Sequence, residues 1–133
     1  MIQSPSRSSY EGYAFEWICF DALREIKGAL GIQNVLSDIY TLSSHGGDHG
    51  AQIDMVIDRN DRIVNLCEIK YTVKPYEISK VELESLENKI DCLRNFLARK
   101  KTIFLTVISA QGIKMGGYAS RVNQVVTLDD LFN

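Results

Sequence analysis

The stretch GAQIDMVIDRNDRIVNLCEIKY, residues 50–71, contains two segments rich in Ile, Val and Met on either side of a polar break. Residues 53–58 and 62–71 have the composition of β-strands, and Arg59-Asn60-Asp61 between them is typical of a turn. The sequence therefore predicts a β-hairpin, and this hairpin decides how the rest of the chain is interpreted.

The length of the hairpin loop determines which side chains face each other, because side chains alternate between the two faces of a strand. With residues 60–62 as a three-residue loop, Asp54 lies directly opposite Glu68. With residues 59–61 as the loop, Gln52 is opposite Glu68 and Asp54 is its diagonal neighbour. Opposed Cβ atoms are roughly 5 Å apart, so both registers bring the two carboxylates within reach of one ion.

One end of this predicted hairpin face is polar, since Asp54, Glu68 and Lys70 follow an apolar patch of Val56, Val64 and Leu66. Like charges across a ladder repel, and partly buried carboxylates cost several kcal/mol without compensation. A divalent cation would compensate them, and Lys70 would contribute part of the compensation. A salt bridge from Lys70 to either carboxylate is the structural alternative, and it leaves the other carboxylate without a partner.

The pattern resembles the PD-(D/E)XK nuclease superfamily, and more narrowly the nuclease-like domain at the C-terminus of some bacterial AAA-type ATPases. The resemblance covers most of the chain, including its closing residues 126–132, and rests on four segments: residues 12–16 (GYAFE), 50–54 (GAQID), 57–59 (IDR) and 65–70 (NLCEIK). No proline precedes Asp54, and the chain has no Gly-Lys-Ser/Thr phosphate loop, so the ATPase part of the resembled proteins is not present in this sequence.

The resemblance implies an α/β fold with a restriction-endonuclease core of order αβββαβ, in which helices flank a central mixed sheet. It implies that Asp54 and Glu68, with Glu16 of the first helix and the carbonyl of Ile69, bind Mg²⁺ or Mn²⁺ through oxygen ligands. Lys70 would orient the attacking water or stabilise transition-state charge, and Gln52 would contact a metal-bound water or a phosphate oxygen. The implied activity is hydrolysis of nucleic-acid phosphodiester bonds. A catalytically weak or inactive binding module is the alternative, and a purely structural domain that pairs through an edge strand is a third.

The composition favours a single domain that binds nucleic acid only weakly by itself. The chain has 133 residues with 45% apolar content, which is enough for one hydrophobic core. We assign this single domain to residues 10–133. Residues 1–9 form a serine-rich N-terminus that we expect to be disordered or foreign to the domain. Its net charge of −2, from 15 basic and 17 acidic residues, argues against a free-standing DNA binder. We expect DNA to be bound with the help of an ATPase domain or partner, or within a homo-oligomer.

No apolar run is long enough for a membrane span and no hydrophobic signal segment is present, so we expect neither a membrane anchor nor export. Three isolated cysteines, Cys19, Cys67 and Cys92, lie in apolar surroundings. They are typical of small core residues in a reducing cytoplasm rather than of a disulfide or zinc site.

The remaining pattern predicts elements that frame the hairpin. Helices are expected over residues 10–30 and 77–101, the second with Ser79 as N-cap, and strands over residues 34–44, 102–108 and 121–126. Thr127 is expected to cap a last short turn. The basic residues in the second half of the second helix are interpreted as complementing its dipole and as solvated surface rather than as a DNA-binding patch; they are Arg94, Arg99, Lys100 and Lys101.

The segment between the predicted first strand and the hairpin is HGGDHG, residues 45–50. Its three glycines make a pre-formed metal cage from His45, Asp48 and His49 unfavourable. We expect a loop near Gln52 and Asp54 that contacts substrate phosphate.

Overall fold

The computed structural model describes residues 7–44 and 50–132. Within that part of the chain the elements are α1 (Arg7–Asp21), α2 (Leu23–Ala29), β1 (Ser37–Ser44), β2 (Ala51–Arg59), β3 (Ile63–Lys70), α3 (Lys80–Phe96), β4 (Thr102–Ser109), a 3₁₀ helix (Gly117–Arg121), β5 (Gln124–Thr127) and α4 (Leu128–Phe132). The predicted loop of residues 45–49, with its two histidines, lies outside the described residues.

The five strands form one mixed sheet of order β1-β2-β3-β4-β5. The first three strands are antiparallel, whereas β4 runs parallel to β3 and β5 runs parallel to β4. A parallel pair needs a crossover, and α3 supplies it between β3 and β4. The α/β class, with a mixed sheet flanked by helices, is confirmed.

Helices cover both faces of the sheet because each face carries its own apolar cluster. On one face, α1, α2 and α4 pack on alternate residues of the strands, a cluster that includes Phe15, Cys19, Ile26, Met55, Ile57, Cys67, Ile108, Val126 and Leu131. On the other face, α3 packs on the intervening residues, a cluster that includes Ile53, Val56, Val64, Leu66, Leu86, Leu93, Leu105 and Val107. The two faces of the hairpin are therefore covered by helical layers.

The hairpin adopts the first of the two predicted registers. Val56 pairs with Leu66 and Met55 with Cys67, so the loop is the three-residue segment of residues 60–62. Arg62, the last loop residue, has φ 70°, a left-handed conformation that such a three-residue loop requires. This register directs Val56, Val64 and Leu66 to the same apolar cluster, as predicted.

Helix boundaries differ from the predicted ones in several places. The first predicted helix begins at Arg7 rather than at residue 10 and is interrupted at Ala22, which separates α1 from α2. The second begins at Lys80 rather than at residue 77, and its predicted N-cap is confirmed, since Ser79 Oγ accepts a hydrogen bond from the Glu82 amide at 3.2 Å. It ends at Phe96, because Leu97 takes an extended conformation.

Arg94 lies in the last turn of that helix, so the dipole interpretation is confirmed for this residue. Residues 99–101 lie beyond the end of the helix, so the interpretation is wrong for them. Lys101 instead contacts the carboxylate of Asp58 and donates a hydrogen bond to the carbonyl of Arg59 at 2.9 Å. It thereby ties the start of β4 to the end of β2.

The two elements predicted near the C-terminus, a strand and a capped turn, are both present, but the strand begins later than predicted. The last strand, β5, begins at Gln124 rather than at residue 121, because a 3₁₀ helix occupies the preceding residues. Thr127 caps α4 as predicted: its amide donates to Asp130 Oδ2 at 2.8 Å, and its hydroxyl oxygen accepts from the Asp130 amide at 3.4 Å. Leu131 of this capped helix packs in the same apolar cluster as α1 and α2.

Two of the three predicted core cysteines are fully buried, namely Cys19 and Cys67, whereas Cys92 on α3 is only partly buried. All three are free thiols. Among the described residues, the helices are too short or too polar to cross a bilayer.

Candidate functional site

A β-bulge in β2 sets the position of Asp54. Tyr40 pairs with Val56 and Leu42 pairs with Ile53, so the two residues Asp54 and Met55 together oppose the single residue between their partners on β1. As a result Ile53, rather than Asp54, joins Val56 in the cluster under α3. The strict alternation predicted for this arm therefore fails at this point.

The bulge directs the Asp54 carboxylate toward the backbone of β3. The regular pairing of β2 with β3 ends at Met55 and Cys67, and beyond it the Ile69 amide donates a hydrogen bond to Asp54 Oδ2 at 3.0 Å. A side-chain oxygen thus replaces a strand carbonyl as the acceptor. The carboxylate is thereby held beside β3, next to the segment that carries Glu68 and Lys70.

Burial raises the pKa of the Asp54 carboxyl, and nearby charges modify that effect. The hydrogen bond from Ile69 and the ammonium groups of Lys89 and Lys70 oppose the rise, whereas the carboxylate of Glu16 adds to it. The net direction is upward, so the ionised form of Asp54 is not fully compensated by the protein's own groups. An uncompensated, partly buried carboxylate is a common property of functional sites.

Glu68 is the most deeply buried acidic side chain of the described chain, with 3% of its surface exposed. Both of its oxygens accept hydrogen bonds from Lys89 Nζ, at 3.1 and 2.9 Å. Lys70 Nζ lies farther away, 3.5 Å from Glu68 Oε1. Glu68 therefore has two cationic partners, and the closer one comes from α3 rather than from the hairpin.

Lys89 is the site residue that the sequence analysis missed. It lies three residues after Leu86 and four before Leu93, both of which are buried, and so it falls within the apolar stripe of α3. A lysine inside such a stripe needs a buried counter-charge, so its position in the sequence indicates a buried ion pair. Its partner is 21 residues away in sequence, so the pairing itself could not be identified without the fold.

Lys70 is half exposed and reaches two neighbours. Its Nζ contacts Glu68 and lies 5.6 Å from the centre of the Tyr76 ring. Tyr76 is fixed by backbone hydrogen bonds with Gly112 and Lys114, 2.9 and 2.8 Å long, which attach the segment after β3 to the segment after β4. Because Lys70 is less enclosed than Lys89, its ammonium is better able to turn toward a ligand.

The two other predicted ligands are Gln52 and Glu16. Gln52 is exposed and pairs with Ser43 near the start of β2. Glu16 is partly buried on α1, and its charge acts on Asp54. Among residues 7–44 and 50–132 no group of three or more His, Cys, Asp or Glu side chains is close enough to hold a metal ion. The two hairpin carboxylates are linked through two lysines, since Lys89 and Lys70 both contact Glu68 and both act on Asp54 through their charge.

Asp54→Asn is expected to stabilise the fold at about pH 7 in the presence of a chelator. Asparagine can still accept the Ile69 hydrogen bond, and the substitution removes a charge whose burial is unfavourable. Because the folded-state pKa of Asp54 is raised, its favourable contribution is present below its unfolded pKa and is lost as pH rises through the folded pKa. The stability difference should accordingly increase with pH in urea unfolding from about pH 4 to 7. A lower stability of the variant at neutral pH would contradict this assignment.

Comparisons with protein-family models, with curated proteins and with solved structures found no match to this chain.

Proposed function

We propose that the protein is a divalent-metal-dependent domain of the PD-(D/E)XK type that hydrolyses nucleic-acid phosphodiester bonds. The observation that supports the proposal best is the position of Asp54, which a bulge directs toward β3 beside the buried Glu68 and the half-exposed Lys70. The element order of α1 with α2, three antiparallel strands, α3 and β4 is compatible with the αβββαβ order of the resembled core.

The donor set is suited to Mg²⁺ or Mn²⁺. These hard cations prefer oxygen ligands, and Mg²⁺ is commonly held by one or two carboxylates while waters and substrate phosphate complete its shell. Asp54 and Glu68 would be the two carboxylates, and Glu16 and the Ile69 carbonyl are the candidates for further ligands. When bound, the metal would polarise the phosphate and lower the pKa of a bound water.

The protein's own groups have distinct proposed tasks. The Ile69 amide holds the Asp54 carboxylate in one orientation through its hydrogen bond. The Lys70 ammonium, half exposed and 3.5 Å from Glu68, would stabilise the charge that develops on the phosphate or orient the attacking water. Gln52, which is exposed near the start of β2, would contact a phosphate oxygen.

Affinity for nucleic acid is proposed to come mainly from outside the domain. The chain carries a net charge of −2, and nucleic-acid affinity is largely phosphate neutralisation by Lys and Arg. An AAA-type ATPase partner or domain, or a second copy of the chain, would supply the additional positive surface. A cytoplasmic location belongs to the same proposal and agrees with three free thiols.

A second candidate function is a non-cleaving module of the same fold that binds nucleic acid or protein. It is favoured by the ion pairs of Glu68, whose two oxygens are both engaged by Lys89. In that case the cluster would be a structural ion-pair network.

A thermal-shift series with Mg²⁺, Mn²⁺ and Ca²⁺ tests whether the site holds a metal. We expect Mg²⁺ and Mn²⁺ to raise the Tm of the wild type by mass action and to leave Asp54→Asn unchanged. Glu87→Gln is the matched control, because Glu87 is an exposed carboxylate paired with Arg121 on the surface. An equal response of all three proteins would contradict a site at Asp54. A metal response without any nicking of plasmid DNA would support the non-cleaving module.

A further inference from the structure

Lys89 forms an ion pair that is unusually enclosed for a surface helix. Its side chain is 15% exposed and that of Glu68 is 5% exposed, and the ammonium contacts both carboxylate oxygens. Two charges removed from water to this extent depend on each other, since loss of one leaves the other buried without compensation.

The same ammonium also acts on the second carboxylate of the cluster. Among the charged groups that influence Asp54, Lys89 has the largest effect, ahead of Glu16 and Lys70. Lys89 therefore compensates the negative charge of both Asp54 and Glu68. In the proposed function, the metal ion compensates the same two carboxylates.

We propose that Lys89 and the divalent metal compete for Glu68, and that the ammonium released by the metal binds the substrate phosphate. The inference rests on the proposed function. It adds Lys89 to that site and couples metal binding to phosphate binding.

The consequence is coupling between metal and phosphodiester. A metal that binds alone must displace an ammonium that is largely shielded from water, and this leaves Lys89 without a counter-charge. A phosphate group provides that counter-charge, so each ligand improves the affinity for the other. Lys70 is expected to couple the two ligands less strongly, because its side chain is 37% exposed and contacts one oxygen of Glu68.

The test is calorimetric titration of Mn²⁺ into wild type, Lys89→Gln, Lys89→Arg and Lys70→Gln. Removal of the competing charge should tighten Mn²⁺ binding by Lys89→Gln by about fivefold or more, within the range of ordinary coupling energies. Lys89→Arg retains the competing charge and Lys70→Gln removes the weaker contact, so both should remain within about twofold of wild type. A single-stranded phosphorothioate oligonucleotide should then improve Mn²⁺ affinity in the wild type and have little effect in Lys89→Gln.

The outcomes separate this inference from the proposed function. Equal Mn²⁺ affinities in wild type and Lys89→Gln would overturn the competition and leave the metal site intact. Absence of Mn²⁺ binding in every variant would overturn both.

If Lys89→Gln fails to fold, NMR of the lysine Nζ groups in the wild type provides an independent measurement. Saturable Mg²⁺-dependent change of the Lys89 signal supports the exchange. A Lys89 signal that is unchanged at saturating Mg²⁺ overturns it.

Discussion

Glu68→Gln is expected to reduce Mn²⁺-dependent plasmid nicking by about 100-fold or more, the usual effect of removing one pre-organised electrostatic group from an active site. Glutamine keeps the shape of the side chain and an acceptor for Lys89 but removes the counter-charge of that ammonium, so we expect a lower melting temperature with the fold retained. It loses the negative charge that a divalent ion requires. Asp54→Ala and Lys70→Ala should abolish nicking as well, because they remove the second carboxylate and the exposed lysine.

The control for this series is again Glu87→Gln, which changes a carboxylate to an amide on the surface of α3 and should nick like the wild type. Each variant is measured with its melting temperature, so that loss of activity is separated from loss of structure. Wild-type nicking rates in Glu68→Gln would remove this residue from the mechanism and would favour the structural interpretation of its ion pair with Lys89.

Asn65→Leu is expected to destabilise the fold by about 3 kcal/mol, because it disrupts a fully buried hydrogen-bond network. Asn65 is 0% exposed; its Oδ1 accepts from Arg59 Nη1 at 3.2 Å. Its amide nitrogen donates to Thr106 Oγ1 at 2.9 Å and to Gln124 Oε1 at 2.7 Å. The network therefore joins four neighbouring strands, and leucine would leave the buried Arg59 and Thr106 with fewer partners.

Urea unfolding measures this effect, with Asn95→Leu as the control because Asn95 is exposed on α3. The control should change the free energy of unfolding by less than about 0.5 kcal/mol, as is usual for surface positions. Equal stabilities of Asn65→Leu and the wild type would show that the network contributes little to the fold.

The hairpin could be predicted from the sequence because its determinants are local. The turn residues and the alternation of the two arms limited the register to two choices, and both brought Asp54 near Glu68. The choice between them depended on Arg62, whose left-handed conformation admits the three-residue loop. Local patterns also predicted the Ser79 and Thr127 caps.

The remaining features of the site depend on contacts between distant segments. The bulge at Asp54 arises from pairing with β1, so no pattern within β2 alone indicates it. The Lys89–Glu68 pair depends on how α3 packs across the sheet. The Lys101–Asp58 contact likewise joins residues 43 apart, and no local pattern separates Lys101 from the helix before it.

The central claim, that Asp54 and Glu68 bind one divalent ion, is tested most directly by NMR of the ¹⁵N-labelled protein with substoichiometric Mn²⁺. Paramagnetic broadening should appear first at the amides of Asp54, Glu68, Ile69 and Lys70, and Asp54→Asn should abolish it. Broadening that begins at other acidic positions, such as the exposed Asp129 and Asp130 of α4, or that is unaffected by Asp54→Asn, would contradict the account.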